Sequence, residues 1–196
     1  MNDFSLHILD LVENSIRAGA SVVTVTVAED APADRLEIGV EDNGRGLPVP
    51  AERAANPFYT TKRGKKTGLG LSLFREAVEA AGGQMEIADR PGGGVRVWGT
   101  MRARHIDRKP LGDMAASLWS MVCTNPGIDF GLRVRQAGSE SFVSAGGIRR
   151  ELGAAAGDPL TVAGRFAEQA RESLGRLGAW KTDFDAVRKE TGDGKE

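Results

Sequence analysis

A chain of 196 residues, 40% of them hydrophobic, can bury one large core, or a medium core plus a small one. A formal net charge of −1 excludes binding to nucleic acid by bulk charge. The single cysteine, Cys123, excludes an internal disulfide and fits a reducing compartment, where it is expected to serve as a small buried hydrophobe.

From about Asp3 to Gly19 the pattern predicts a helix, with Phe4, Ile8, Leu11, Val12 and Ile16 as its apolar stripe. His7, Asp10, Asn14 and Arg17 fall three or four apart and form a polar row. Ser21 to Val27 and Leu36 to Asp42 alternate with a period of two and read as an antiparallel hairpin. Leu36, Ile38, Val40 and Asp42 share a face by parity, so a carboxylate points into apolar interior. Left unpaired, it would be costly, and it is expected to have a partner. Gly44 and Gly46 follow in Asp42-Asn43-Gly44-Arg45-Gly46.

Leu47 to Thr67 carries three prolines and the basic run Lys62-Arg63-Gly64-Lys65-Lys66, and reads as a long functional loop with a short helix near Ala51 to Ala55. Thr67-Gly68-Leu69-Gly70-Leu71 then runs into a helix that Gly82-Gly83 stops. Glycines at a helix start beside a basic loop favour an anion such as phosphate. Gln84 to Asp89 and Val95 to Ala103 are two more strands about a Pro-Gly-Gly-Gly turn. The order predicts an α+β fold, a two-layer sandwich with helices on one face of a mixed sheet. A Rossmann unit does not match, because the glycine loop follows no strand directly. Neither does a Walker loop, since Gly64-Lys65-Lys66-Thr67 lacks the first glycine at the required spacing and a buried strand before it.

Residues 105–110 read as a linker, and a small α+β module of residues 105–180 is expected after a first domain of residues 1–104. Its predicted elements are a helix over 111–122, strands over 128–135 and 140–144, a short helix near 147–152, and a helix opened by Asp158-Pro159. No catalytic constellation is visible there; self-association as a homodimer, docking of a partner protein or relay of lid closure is the default role. Residues 181–196 read as a charged, frayed tail. With no leader-like start and no bilayer-length apolar run, a cytoplasmic protein with no membrane partner is expected.

Four stretches occur in order over roughly the first hundred residues: Asp10-Leu11-Val12-Glu13-Asn14-Ser15, Asp42-Asn43-Gly44-Arg45-Gly46, Asn56-Pro57-Phe58-Tyr59-Thr60-Thr61-Lys62 and Thr67-Gly68-Leu69-Gly70-Leu71. Together they resemble the boxes of the ATPase superfamily shared by gyrase, heat-shock-ninety chaperones, histidine kinases and MutL. The whole is most similar to small stand-alone bacterial histidine-kinase-like ATP-binding proteins.

The resemblance implies ATP and Mg²⁺ as ligands. Asp42 would accept from the adenine amino group, and Asn14 would ligate Mg²⁺. Gly44 and Gly46 would let the backbone approach the nucleotide. Thr67, Gly68, Leu69, Gly70 and Leu71 would wrap the phosphates, with Lys62 the basic residue beside them. Members that hydrolyse ATP carry a glutamate general base where this chain has Asp10, one methylene shorter. Asp10 is therefore either the base, acting through a further water, or a support for the metal shell. Neither His7 nor His105 stands in the helical hairpin that carries a phosphoacceptor, so the expected acceptor is another protein. Two functions stay open: a protein kinase acting in trans, and an ATP-gated switch or slow ATPase that regulates a partner.

Overall fold

The computed structural model describes residues 3–50 and 69–178. Helix α1 (Phe4–Arg17) starts at Asp3, whose carboxylate accepts from the N–H of Leu6. Strands β1 (Val22–Asp30) and β2 (Arg35–Asp42) form the expected hairpin, pairing Val25 with Val40 and Val27 with Ile38. Helix α2 (Leu69–Ala80) leads to the hairpin of β3 (Gln84–Asp89) and β4 (Val95–Arg102). Then follow α3 (Met114–Thr124), β5 (Asp129–Gln136), β6 (Ser139–Ser144), α4 (Ala145–Leu152), a 3₁₀ turn (Gly153–Gly157) and α5 (Pro159–Leu174). Among the described residues no helix is long and apolar enough to cross a membrane.

The six strands make one mixed sheet in the order β3-β4-β2-β1-β5-β6. Alternation decides its two faces. Val23, Val25 and Val27 of β1, Leu36, Ile38 and Val40 of β2, and Phe130, Leu132 and Val134 of β5 point inward and are almost fully buried. They meet Phe4, Ile8, Leu11 and Val12 of α1, Phe74 and Val78 of α2, Leu118 and Val122 of α3, and Phe166 and Leu174 of α5 in one core. Each such apolar side chain contributes about 1.5–3 kcal/mol on burial. On the outer face cross-strand ion pairs stand in their place, among them Arg96 with Glu41 and Arg135 with Glu140.

The segment expected as a module of its own does not stand apart. Strand β5 runs parallel to β1, in register from Val22 with Asp129 to Glu29 with Gln136, so sheet and core continue through both parts of the chain. The connection is clamped to α1 as well. The N–H groups of Phe4 and Ser5 donate to the carbonyls of Pro110 and Leu111 at 2.9 and 3.0 Å. These are donors that the first turn of a helix cannot satisfy internally.

Candidate functional site

Asp42 closes β2, 5% exposed and on the same face as Leu36, Ile38 and Val40. Three protein donors meet its carboxylate. The Ser15 hydroxyl donates to Oδ2 at 2.7 Å, and the N–H groups of Gly44 and Val95 donate to Oδ1 at 2.8 and 3.2 Å. A carboxylate offers about four lone-pair positions. Among the described residues both on Oδ1 and one on Oδ2 are taken, which leaves a single directed acceptor. The inward carboxylate is thus no orphan. Its burial is offset mostly by the protein, partly by capping its own turn, and one position remains for an outside donor.

The loop after Asp42 is tied down on every side. The Asn43 side-chain oxygen accepts from the N–H groups of Ser21 and Val22, both at 2.9 Å. A Cβ on Gly44 would come within 2.9 Å of the Ala18 Cβ, so glycine is what lets the loop lie against the end of α1. Gly46 has φ +82°, a left-handed conformation that glycine adopts without strain. The Leu47 N–H donates to the Asp89 carboxylate at 2.9 Å.

On α1, Asp10 and Asn14 lie one turn apart, both half-buried, and neither side chain makes a hydrogen bond among the described residues. Glu13 points elsewhere, into an exposed i,i+4 ion pair with Arg17 at 2.7 Å. Asp10 instead faces α2. A Cβ on Gly70 would lie 3.2 Å from the Asp10 Cβ and 3.4 Å from its Oδ2. One turn back on α1 and one turn on along α2, the rings of His7 and Phe74 are 6.3 Å apart. The two helices therefore run antiparallel where they touch. Asp10 sits against the first turn of α2, where backbone N–H groups lack partners within the helix.

Gly70 is helical, and its missing side chain serves this close approach. Leu69 opens α2, and the Leu71 side chain packs against the core, so this turn can offer a ligand Leu71's backbone rather than its side chain. Lys62, Thr67 and Gly68, like the basic loop around them, lie outside the described residues.

His7 corrects the expectation of a polar row. It is fully buried, against the rings of Phe4 and Phe74, with Nε2 3.3 Å from the Lys109 ammonium. Its Nδ1 has no partner among the described residues. Burial, and then the charge of Lys109, push the imidazole down to about 4.

Among the described residues no group of three or more His, Cys, Asp or Glu side chains could hold a metal ion. A metal here must take most of its ligands from elsewhere, as Mg²⁺ does when it keeps waters and phosphate oxygens. The Asn14 amide oxygen, half-buried and without a hydrogen bond among the described residues, fits as one protein ligand.

Sequence reasoning missed Ser15, Asp89, Arg90 and the Val95 N–H. Ser15 was detectable, as a hydroxyl one turn beyond Leu11 on the buried side of α1. The other three come from a hairpin distant in sequence, and nothing local marks them.

A buried carboxylate where a sheet strand meets α1, away from any strand-glycine-helix turn, fits one class of ATPase domain. The chain belongs to the Histidine kinase-, DNA gyrase B-, and HSP90-like ATPase family, whose model matches residues 3–105. It is 34% identical over 91 residues to the alginate biosynthesis sensor protein KinB of Pseudomonas aeruginosa, covering 45% of this chain and 15% of that one. It is 35% identical over 104 residues to the sensor histidine kinase ZraS of Salmonella typhi, covering 51% and 22%. The chain thus spans about a fifth or less of these curated relatives. Among solved structures, the nucleotide-free catalytic domain of histidine kinase ThkA aligns with a TM-score of 0.39 at 27% identity, over 50% of this chain and 65% of that one.

Proposed function

We propose that the protein binds Mg-ATP and, as a stand-alone kinase, transfers the γ-phosphoryl group to a partner protein in trans. The observation that carries this reading is Asp10 against the first turn of α2, with Asn14 one turn along α1 from it, neither side chain hydrogen-bonded among the described residues. The open position on Asp42 Oδ2 accepts from the adenine amino group. Asn14 supplies an oxygen ligand to Mg²⁺. When bound, Mg²⁺ neutralises charge on the phosphates. The free N–H groups at the start of α2 face phosphate oxygens. Asp10 accepts the proton of the attacking side chain as the bond to the γ-phosphorus forms and the bond to the β-bridging oxygen breaks, releasing ADP. The matched relatives include sensor histidine kinases, which supports phosphoryl transfer over hydrolysis alone.

The test is incubation with γ-labelled ATP and Mg²⁺, alone and with candidate partner proteins. Label on a partner supports the kinase; free phosphate alone rejects it in favour of an ATPase.

One observation favours the second reading, an ATP-gated switch. The strap at Lys109–Leu111 is bonded to the first turn of the helix that carries Asp10 and Asn14, and leads directly into the C-terminal half. Closure around ATP would then move a partner-binding surface with slow hydrolysis or none.

A further inference from the structure

We infer that Asp89, the last residue of β3, and Arg90, on the turn that leads to β4, are positioning residues for adenine recognition; the inference rests on the ATP-site reading above. Neither is part of the nucleotide site as assigned. Both act through the loop that follows Asp42.

The turn is closed on itself, with the Arg90 N–H donating to the Gly94 carbonyl and the Gly93 N–H to the Arg90 carbonyl, each at 3.0 Å. Its side chains are therefore available for other work. Arg90 Nη1 donates to the Asp42 carbonyl at 2.6 Å, a half-buried bond from a charged donor. Asp89 Oδ1 accepts from the Leu47 N–H at 2.9 Å. The next residue after the turn, Val95, donates its N–H to Asp42 Oδ1. One hairpin thus grips the loop at both ends, at Asp42 and at Leu47. Gly94 permits the approach, since a Cβ there would stand 1.9 Å from the Asp42 carbonyl oxygen.

The consequence follows from the count of acceptors on Asp42. Among the described residues only one lone-pair position on Oδ2 is left open, so its direction decides whether an amino group can donate to it. The direction is set by what holds the Asp42 backbone and Oδ1. Arg90 holds the carbonyl, Val95 holds Oδ1, and Asp89 keeps the far end of the loop from swinging. Relaxing this grip removes no side chain from the phosphate and metal positions on α1 and α2. It should weaken discrimination for the 6-amino group more than it weakens binding of the nucleotide as a whole.

The experiment measures displacement of a fluorescent ATP analogue from the full chain, with Mg²⁺, by ATP and by inosine triphosphate, which has a carbonyl in place of the amino group. Arg90→Met and Asp89→Ala are each expected to lower the preference for ATP over the inosine nucleotide by about tenfold, as loss of a hydrogen bond to or from a charged group would. Asp89→Asn keeps an acceptor for the Leu47 N–H and is expected to retain the wild-type preference. A merely structural role would weaken both nucleotides equally. That result, or an unchanged preference in folded Arg90→Met and Asp89→Ala proteins, overturns the inference. Wild-type protein that binds neither nucleotide overturns the ATP-site reading itself, a distinct outcome.

Discussion

Ser15 and Asp42 are joined by a 2.7 Å hydrogen bond between a buried hydroxyl and a buried carboxylate, and this bond ties α1 to the end of β2. It makes the metal-ligand candidate Asn14 and the proposed adenine acceptor Asp42 parts of one unit, because Ser15 is the residue after Asn14. Ser15→Ala removes the donor and leaves Asp42 Oδ2 with two open positions in place of one. The net loss is about 1–2 kcal/mol in stability. ATP affinity should fall by about three- to tenfold. Urea melts and calorimetric titration of Mg-ATP check the two effects separately.

Gly70→Ala is the sharpest test of the α1–α2 contact. In an open helix this change stabilises by up to about 1 kcal/mol. Here the new methyl would stand 3.2 Å from the Asp10 Cβ, so Asp10 must shift by a few tenths of an ångström. The expected outcome is no gain in melting temperature and, with Asp10 as the proposed base, about a tenfold loss of ATP turnover, since a general base works only within hydrogen-bond reach. A gain in stability with unchanged turnover would show that the two helices do not meet in this way.

His7 gives the fold a pH dependence of defined sign. Its folded-state value of about 4 lies below the usual 6.5, because burial and then Lys109 oppose its charge. The unfolded chain therefore takes up the proton first. Stability is intact above 6.5 and declines as pH falls from 6.5 to about 4, by at most about 3 kcal/mol. His7→Gln keeps an acceptor for Lys109 but does not titrate. Urea melts at pH 7 and pH 4.5 should differ less for this variant than for the wild type.

Much of this site was legible in the sequence because it rests on local periodicity. Parity alone placed Asp42 on the face of Leu36, Ile38 and Val40, and helical spacing placed Asp10 one turn from Asn14. The partners of Asp42 were not legible. Ser15 reaches it from another element, and Val95 through a backbone N–H that carries no residue signature. His7 was misread for a similar reason. Its neighbours on α1 are polar, but Phe74 and Lys109 arrive from far along the chain and close over it. The parallel pairing of β5 with β1 left no local mark either, so the C-terminal segment read as a separate module.

Asp10→Asn separates the two roles open to Asp10. The substitution keeps the size of the side chain and an oxygen that could ligate through water, but removes proton acceptance. If Asp10 is the base, Mg-ATP affinity stays within about twofold while turnover falls by about 100-fold or more, in the range of general-base catalysis. If it supports the metal shell, the Mg²⁺ requirement for binding rises instead. Titrations over a range of Mg²⁺ concentrations, run beside single-turnover assays, tell these apart.

The central claim is that Asp42 reads the adenine of bound ATP, and calorimetric titration of Mg-ATP into wild-type and Asp42→Asn protein tests it most directly. Asparagine keeps the oxygen that takes the Gly44 and Val95 N–H groups, and the Ser15 hydroxyl can rotate to accept from the new amide. The variant should therefore fold. At the open position it presents a donor to a donor, and the account predicts binding weaker by about 100-fold. Binding as tight as the wild type by a folded Asp42→Asn protein would contradict it.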